Sequence, residues 1–381
     1  MKRTRNNRAI TLVALVITII ILIILAGISI SVLTNTGIFQ KAQEAKEKSK
    51  KSSENEQLAL SEYEASLNKI NAEELSIDKA NKVLSTEKNV ELRDENGNII
   101  VVPAGFKIVV DDTTNNAITV DKGIVVEDGT LNADGTKTET NGSQFVWIPV
   151  GNIKKDDGTI VEINLNRYTF DTNGVPTAQD DKEISTGVYS YRELEKSNYK
   201  NVVAENIVNF KVSAVANSGY YIGRYEARKN SNGMVTEVGT DNIWYNITQP
   251  SAAEQSKKMY NSINQVTSDL INSYAWDTAT LFLQNCGNNT KYSIKNSLNT
   301  ELANAGTNNL KDIDKRDVQC NIYDMASNVW EWTTETAMNA KYSGVTRGGN
   351  YQLTTLCVSI RSNDSALNKY NALGFRVILY L

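Results

Sequence analysis

The sequence predicts an α+β protein built in stages. A long N-terminal transmembrane and stalk helix comes first, then a small β region, then a larger C-terminal domain of mixed short strands and two or so helices. Three observations carry that prediction. An uncharged, largely apolar run from Ala9 to Gln40 leads straight into a segment rich in Lys, Glu, Ala and Gln. Alternating apolar residues flank Asn96 and Gly97, a pair that favours a tight hairpin turn. Beyond Gln144, short β-branched or aromatic runs recur between Gly, Asn and Asp, the pattern of strands separated by turns.

Each element follows from its residues. Lys2, Arg3, Arg5 and Arg8 make residues 1–9 a basic leader, and the apolar run of residues 10–35 behind it exceeds the roughly 20 residues that cross a bilayer. A basic cluster ahead of such a run stays cytoplasmic. The expectation is therefore a single-pass protein of the cell membrane, its N-terminus cytoplasmic and its C-terminal domain extracellular. From Lys41 helix formers continue to Leu75 without Gly or Pro. Leu60, Tyr63, Leu67 and Ile70 fall at spacings of three and four, one narrow apolar stripe. Residues 36–85 are thus either a stalk that docks on a β-domain or a solvated helical spacer.

Residues 86–143 form a β-rich connecting region around the Asn96-Gly97 hairpin, with a polar, Gly-rich loop in "GTLNADGTKTETNGS". The final domain spans 144–381. Within it, residues 152–206 carry strand-breaking Asn and Asp with few apolar blocks, which predicts an insertion with little regular structure. No fixed-period repeat is present, so a solenoid is excluded.

Composition narrows the chemistry. A net charge of −4 with no basic stripe argues against a nucleic-acid partner. The chain has no histidine, which removes Ser-His-Asp triads and His-ligated metals. Cys286, Cys320 and Cys357 are odd in number and far apart, leaving one disulfide or three buried free thiols as alternatives. Trp330 and Trp332 are two residues apart, so a strand points both to one face, where they build core. Glu331 then faces the other way, toward a cation or an arginine. Gly348 and Gly349 permit backbone turns closed to other residues, and Arg347 beside them can brace a loop through paired hydrogen bonds. Asp277 next to Trp276 opens a helix with Ala279, Leu281, Phe282 and Leu283 on it.

The N-terminal stretch "ITLVALVITIIILIILAG" resembles type IV pilin-like proteins, which implies cleavage by a prepilin peptidase between Ala9 and Ile10. The chain departs from that family by having Ala9 in place of Gly before the cut. It also has Ala14 where the family places an acidic docking residue.

Further on, six motifs occur in order: "FVWIPVG", "GYYIGRYEA", "VTSDLINSYAWDTATLFL", "YDMASNVWEWT", "RGGNY" and "GFRVIL". This series resembles the formylglycine-generating-enzyme or sulfatase-modifying-factor family, which implies a variant of the C-type lectin fold over 144–381. It gives Trp330, Trp332, Arg347, Gly348, Gly349, Gly374, Phe375 and Arg376 structural parts. The enzymes of that family oxidise a cysteine with copper held by two cysteines in the loop after "RGG". Here that loop offers only Cys357, and Leu353 and Val358 stand nearest the paired positions. The related iron-dependent sulfoxide synthases need histidines. The expectation is a non-enzymatic chain requiring no cofactor. The resemblance leaves calcium as a candidate cation, with Asn328, the Val329 carbonyl and Glu331 as oxygen donors. The competing expectation is a Glu331–Arg ion pair inside the fold.

With catalysis set aside, the segment between "RGG" and "GFR" is expected to be a recognition surface or else an ordinary polar surface loop. Tyr351, Leu353, Thr355, Asn363, Asp364, Ser365, Asn368, Tyr370 and Asn371 are the candidate ligand-binding residues. They combine rigid rings with adaptable hydrogen-bonding groups, the chemistry of antibody-like paratopes. The C-terminal layout also resembles the variable proteins of diversity-generating retroelements. Adenine randomisation in those systems never produces Lys, Glu, Gln, Met or Trp from Asn codons, and between Tyr351 and Leu373 only Gln352 and Lys369 belong to that set. The leading expectation is a receptor or adhesin for an extracellular protein or glycan ligand. The alternatives are a pilin or pseudopilin component and, disfavoured, a formylglycine-type oxidase.

Overall fold

Short strands with one or both faces covered set the architecture. In the computed structural model, residues 15, 17–23, 38–128, 142–229, 235–236, 242–260, 265–294, 317–351 and 357–381 are described. The strands of its two large sheets are, in chain order, β1 (Phe106–Val109), β2 (Val125–Asp128), β3 (Gln144–Pro149), β4 (Ile184–Thr186), β5 (Tyr189–Arg192) and β6 (Gly219–Gly223). They continue as β7 (Thr267–Leu270), β8 (Trp330–Ala337), β9 (Gly344–Arg347), β10 (Arg361–Asp364), β11 (Leu373–Phe375) and β12 (Val377–Tyr380). The helices are α1 (Ile38–Asn71), α2 (Ile207–Ala216), α3 (Gln249–Lys258) and α4 (Ser273–Cys286). Met1–Ala59 and Leu60–Leu381 form separate compact units, and every labelled strand lies in the second.

The first sheet runs β7-β12-β6-β3-β2-β1, each neighbouring pair antiparallel. Its inner strands β6 and β12 are buried at every position, which is why "GYYIG" and "VILY" read as unbroken rather than alternating runs. Phe210 of α2 covers this sheet edge-on to Tyr220 and Tyr380, ring centroids 5.2 and 5.5 Å away. The buried Tyr220 hydroxyl donates to the Ala275 carbonyl at 2.6 Å, fixing α4 to the same strands.

The second sheet runs β4-β5-β8-β9-β10. The long strand β8 serves two neighbours on one edge. Its first residues pair in parallel with β11, Trp330 opposite Leu373, and its last pair with β5, Ala337 opposite Tyr191. Trp332 is fully buried and donates its indole N–H to the Ile247 carbonyl at 2.9 Å. Trp330 is half-buried and meets Tyr370 edge-on at 6.5 Å.

The Asn96-Gly97 hairpin joins antiparallel strands Val90–Arg93 and Ile99–Val102, with Gly97 at φ +89°. Residues 152–206 differ from their expected irregularity. They contain β4 and β5, the Tyr168–Phe170 and Pro176–Ala178 hairpin, and the strand Ile160–Ile163 paired with Gly151–Lys154. These strands contribute few core residues, Ile163, Tyr168, Ile184 and Tyr191 among them, and Pro176–Ala178 is exposed throughout. No long apolar block exists to be read, yet the backbone is paired.

The expected anchor needs correction. Among the described residues no helix is long and apolar enough to cross a membrane. Of residues 10–35, only Leu15 and Ile17–Ile23 are described, helical and exposed. At about 1.5 Å per residue the Ile17–Ile23 stretch covers roughly a third of a ~30 Å bilayer core. The 34-residue helix α1 begins beyond it and is polar, with Leu60 and Tyr63 of the expected stripe exposed. The membrane partner, the single-pass cytoplasmic-to-extracellular topology and the pilin-like assignment rested on that anchor and fall with it. The Ala9–Ile10 cleavage point lies outside the described residues.

Candidate functional site

A buried ionic lattice underlies the C-terminal face. Glu335 of β8 accepts from Arg361 Nε at 3.0 and 3.1 Å through its two oxygens, from Arg347 Nη1 at 3.3 Å, and from Arg167. Asp277 of α4 accepts from Arg347 Nη2 and Arg361 Nη2, and its Oδ2 also accepts the Tyr168 N–H at 3.0 Å. All five charged side chains are at most 4% exposed. Burial alone pushes the Glu335 carboxyl upward, but Arg361, Arg167 and Arg347 outweigh it and hold the group down at about 2. Charge-assisted guanidinium–carboxylate hydrogen bonds, shared among three arginines and two acids, give such a lattice directionality as well as attraction. Its effect is to lock β8, β9 and β10 to α4. Arg347 Nε also holds the Ile360 carbonyl at 2.9 Å, and the Trp276 indole holds the Val358 carbonyl at 2.7 Å. The segment entering β10 is therefore pinned from below.

Two turns rise from this base. The β8–β9 turn is organised by Asn339, whose Oδ1 accepts the N–H groups of Lys341 and Tyr342 at 2.9 and 3.2 Å. The turn after β10 is organised by Asp364, whose Oδ1 accepts the Ser365 N–H and the Asn368 amide, both at 2.7 Å. Between them lies a groove of about 430 Å³, lined by Lys200, Ala340, Lys341, Tyr342, Ser343, Ser365, Ala366 and Asn368. Lys200 and Lys341 are exposed, and the described lining residues include no carboxylate. Lys341 Nζ lies 4.8 Å from the Tyr342 ring centroid, and the Tyr342 hydroxyl raises the lysine's pKa. Ala366 closes the floor: its carbonyl accepts the Gln249 N–H at 3.0 Å, and its Cα would lie 3.1 Å from a Cβ on Gly344.

The expected binding residues divide by position. Ser365 and Asn368 line the groove. Asn363 lies beside it on β10, half-buried, its amide 3.4 Å from the Tyr342 carbonyl, and Asp364 shapes its wall. Asn371 is exposed on the following turn. Tyr351 is half-buried and donates its N–H to the Asn328 carbonyl at 2.9 Å, while Tyr370 packs against the main core. Leu353 and Thr355 lie outside the described residues. Lys200, Lys341 and Tyr342 complete the groove from segments far away in sequence, and nothing in their local patterns distinguishes them from ordinary surface residues.

Around the candidate calcium donors the side chains face protein partners. Both Glu331 oxygens meet Arg376, at 2.7–3.1 Å, so the expected ion pair is present. The Asn328 amide and the Val329 N–H donate to Glu226 at 2.6 and 3.1 Å. Burial, with Asp324 and Glu331 nearby, raises the Glu226 carboxyl well above the ordinary range. Among the described residues no group of three or more His, Cys, Asp or Glu is arranged to hold a metal ion. The cysteines are unbridged: Cys286 and Cys320 are half-buried and Cys357 is buried. Burial pushes the Cys286 thiol up to about 12 and raises the Cys320 thiol as well, the opposite of an activated thiolate. The loop after "RGG" supplies only Cys357, one short of the two cysteines that hold copper in the oxidising enzymes.

No curated protein matches the chain. Among solved structures, Treponema denticola variable protein 1 is similar at 14% identity and a TM-score of 0.28, covering 64% of this chain and 98% of that one. A likeness that weak settles neither fold nor function. The family model is another matter, because it takes in both turns of the groove, the ionic lattice and nearly all of both sheets. With residues 114–381 matching the sulfatase-modifying factor enzyme 1-like domain, the chain belongs to that family.

Proposed function

We propose that this domain is a ligand-binding module whose recognition face is the groove between the β8–β9 turn and the turn after β10. The observation that supports it is the pairing of a rigid base with a polar concavity. Glu335, Asp277 and their three arginines fix the strands, and two side-chain-organised turns hold the walls. A volume of about 430 Å³ falls within the ~300–1,000 Å³ range of small-molecule sites. Preformed walls also lower the ordering cost of binding. Wild type and Ser365→Trp, which fills the groove, can be screened side by side on glycan and protein arrays. Ligands retained by wild type and lost by the variant support the proposal. An identical set for both proteins overturns it.

The finer proposal is that residues 351–373 are the diversified segment of a retroelement variable protein. Its support is their residue types and the exposure of Leu367, Asn368 and Asn371 between the buried Ala366 and Ala372. Sequencing the locus across one population tests it. Variation concentrated at the exposed positions is expected, and a uniform locus removes the idea.

A further inference from the structure

The ligand class follows from the groove's lining, given the proposal that the groove is the binding site. Two cations, Lys200 and Lys341, enter it from different segments, against a chain whose formal net charge is −4. No Asp or Glu is among its described lining residues. Asp364, beside the groove in sequence, spends its Oδ1 on Ser365 and Asn368 within its own turn. The remaining polar groups, on Ser343, Ser365 and Asn368, are hydroxyls and an amide, which match ligand hydroxyls. Among the described lining residues the one ring is Tyr342 and the apolar side chains are two alanines. A peptide anchor needs a desolvated apolar or aromatic pocket, and a helix is about 10 Å across with side chains; this groove suits neither.

We propose that the groove binds a sugar acid, a small polyhydroxylated carboxylate, with Lys200 and Lys341 pairing its anionic group and Ser343, Ser365 and Asn368 meeting its hydroxyls. The two lysines supply charge-assisted hydrogen bonds, the stronger kind in a solvated site. They also make the affinity fall with ionic strength.

The test titrates the full chain by calorimetry with galacturonate, tri-galacturonate and galactose, which shares the ring and lacks the carboxylate. Expected is saturable binding of a galacturonate form and none of galactose. Lys200→Gln and Lys341→Gln should each weaken that binding about tenfold with unchanged thermal unfolding. Binding of the monomer marks a free sugar acid, and binding of the trimer alone marks a chain unit; either supports the inference. Equal binding of galactose, or galacturonate binding indifferent to both lysines, overturns the inference while leaving the groove as a binding site. Absence of galacturonate binding, with array ligands still lost in Ser365→Trp, also overturns it and leaves the broader proposal standing.

Discussion

Arg361 Nε bridges both carboxylate oxygens of Glu335, at 3.0 and 3.1 Å, in a place neither side chain shares with solvent. That bond joins the strand entering the proposed recognition face to the central strand of its sheet. It makes the face a property of the core beneath it.

Removing that carboxylate should be severe. Glu335→Gln removes the carboxylate that Arg167 pairs with and leaves Arg347 and Arg361 with Asp277 alone, and breaking a buried pair typically costs about 3–5 kcal/mol. Urea unfolding of variant and wild type measures the loss. The pH dependence follows from the same group. Its folded pKa, about 2, lies below the usual 4.5, so its stabilisation is present above pH 4.5 and is lost as pH falls toward 2. Acid unfolding of Glu335→Gln should be correspondingly shallower over that interval.

Asp269 should act in the opposite direction. It is nearly fully buried, its oxygens accept the Glu205 and Leu270 N–H groups at 2.7 and 2.8 Å, and burial raises its pKa from 3.8 to about 7. Its favourable contribution is complete below pH 3.8 and disappears as pH rises through 7. The full linkage is on the order of 4 kcal/mol at about 1.4 kcal/mol per unit. Unfolding free energies should decline as pH rises from about 4 to about 7 in wild type, and Asp269→Asn should flatten that decline.

Two glycines should rank by what a side chain would meet. Gly348 has φ +78°, and a Cβ there would lie 2.4 Å from the Met325 carbonyl oxygen; at Gly374 the nearest atom is Val329 Cγ2 at 2.9 Å. Gly348→Ala meets backbone in a strained conformation, whereas Gly374→Ala meets a side chain that can rotate. Thermal unfolding should therefore drop further in Gly348→Ala, by several degrees.

Tyr370 should behave as scaffold more than as contact. Its ring packs against the core and meets Trp330 edge-on, so Tyr370→Ala should cost roughly 1–3 kcal/mol on the scale of a partly buried aromatic. Asn371→Ala, exposed one residue later, should leave urea unfolding unchanged.

That contrast shows what the sequence makes legible. Trp330, Glu331 and Trp332 declare their faces because a strand alternates with a period of two, and Glu331 meets Arg376 as one of the two expected alternatives. Tyr351 and Tyr370 were expected on the surface because ring-bearing polar segments resemble paratopes, and burial by neighbours is invisible in such a pattern. The ionic lattice was hidden for a different reason. Arg167 and Glu335 are 168 residues apart, and Arg167 sits in the stretch expected to be irregular. Lys200 and Lys341 join Ser365 only through the stacking order of β5, β8, β9 and β10. The apolar N-terminal run suggested a bilayer span from hydropathy alone, and the described helices do not supply one.

Amide hydrogen exchange, with and without the tightest ligand found on the arrays, shows most directly where recognition takes place. Slowed exchange confined to residues 338–343 and 361–371 is expected. Slowing centred instead on the 160–178 strands, with the two turns unchanged, would contradict the groove as the binding site.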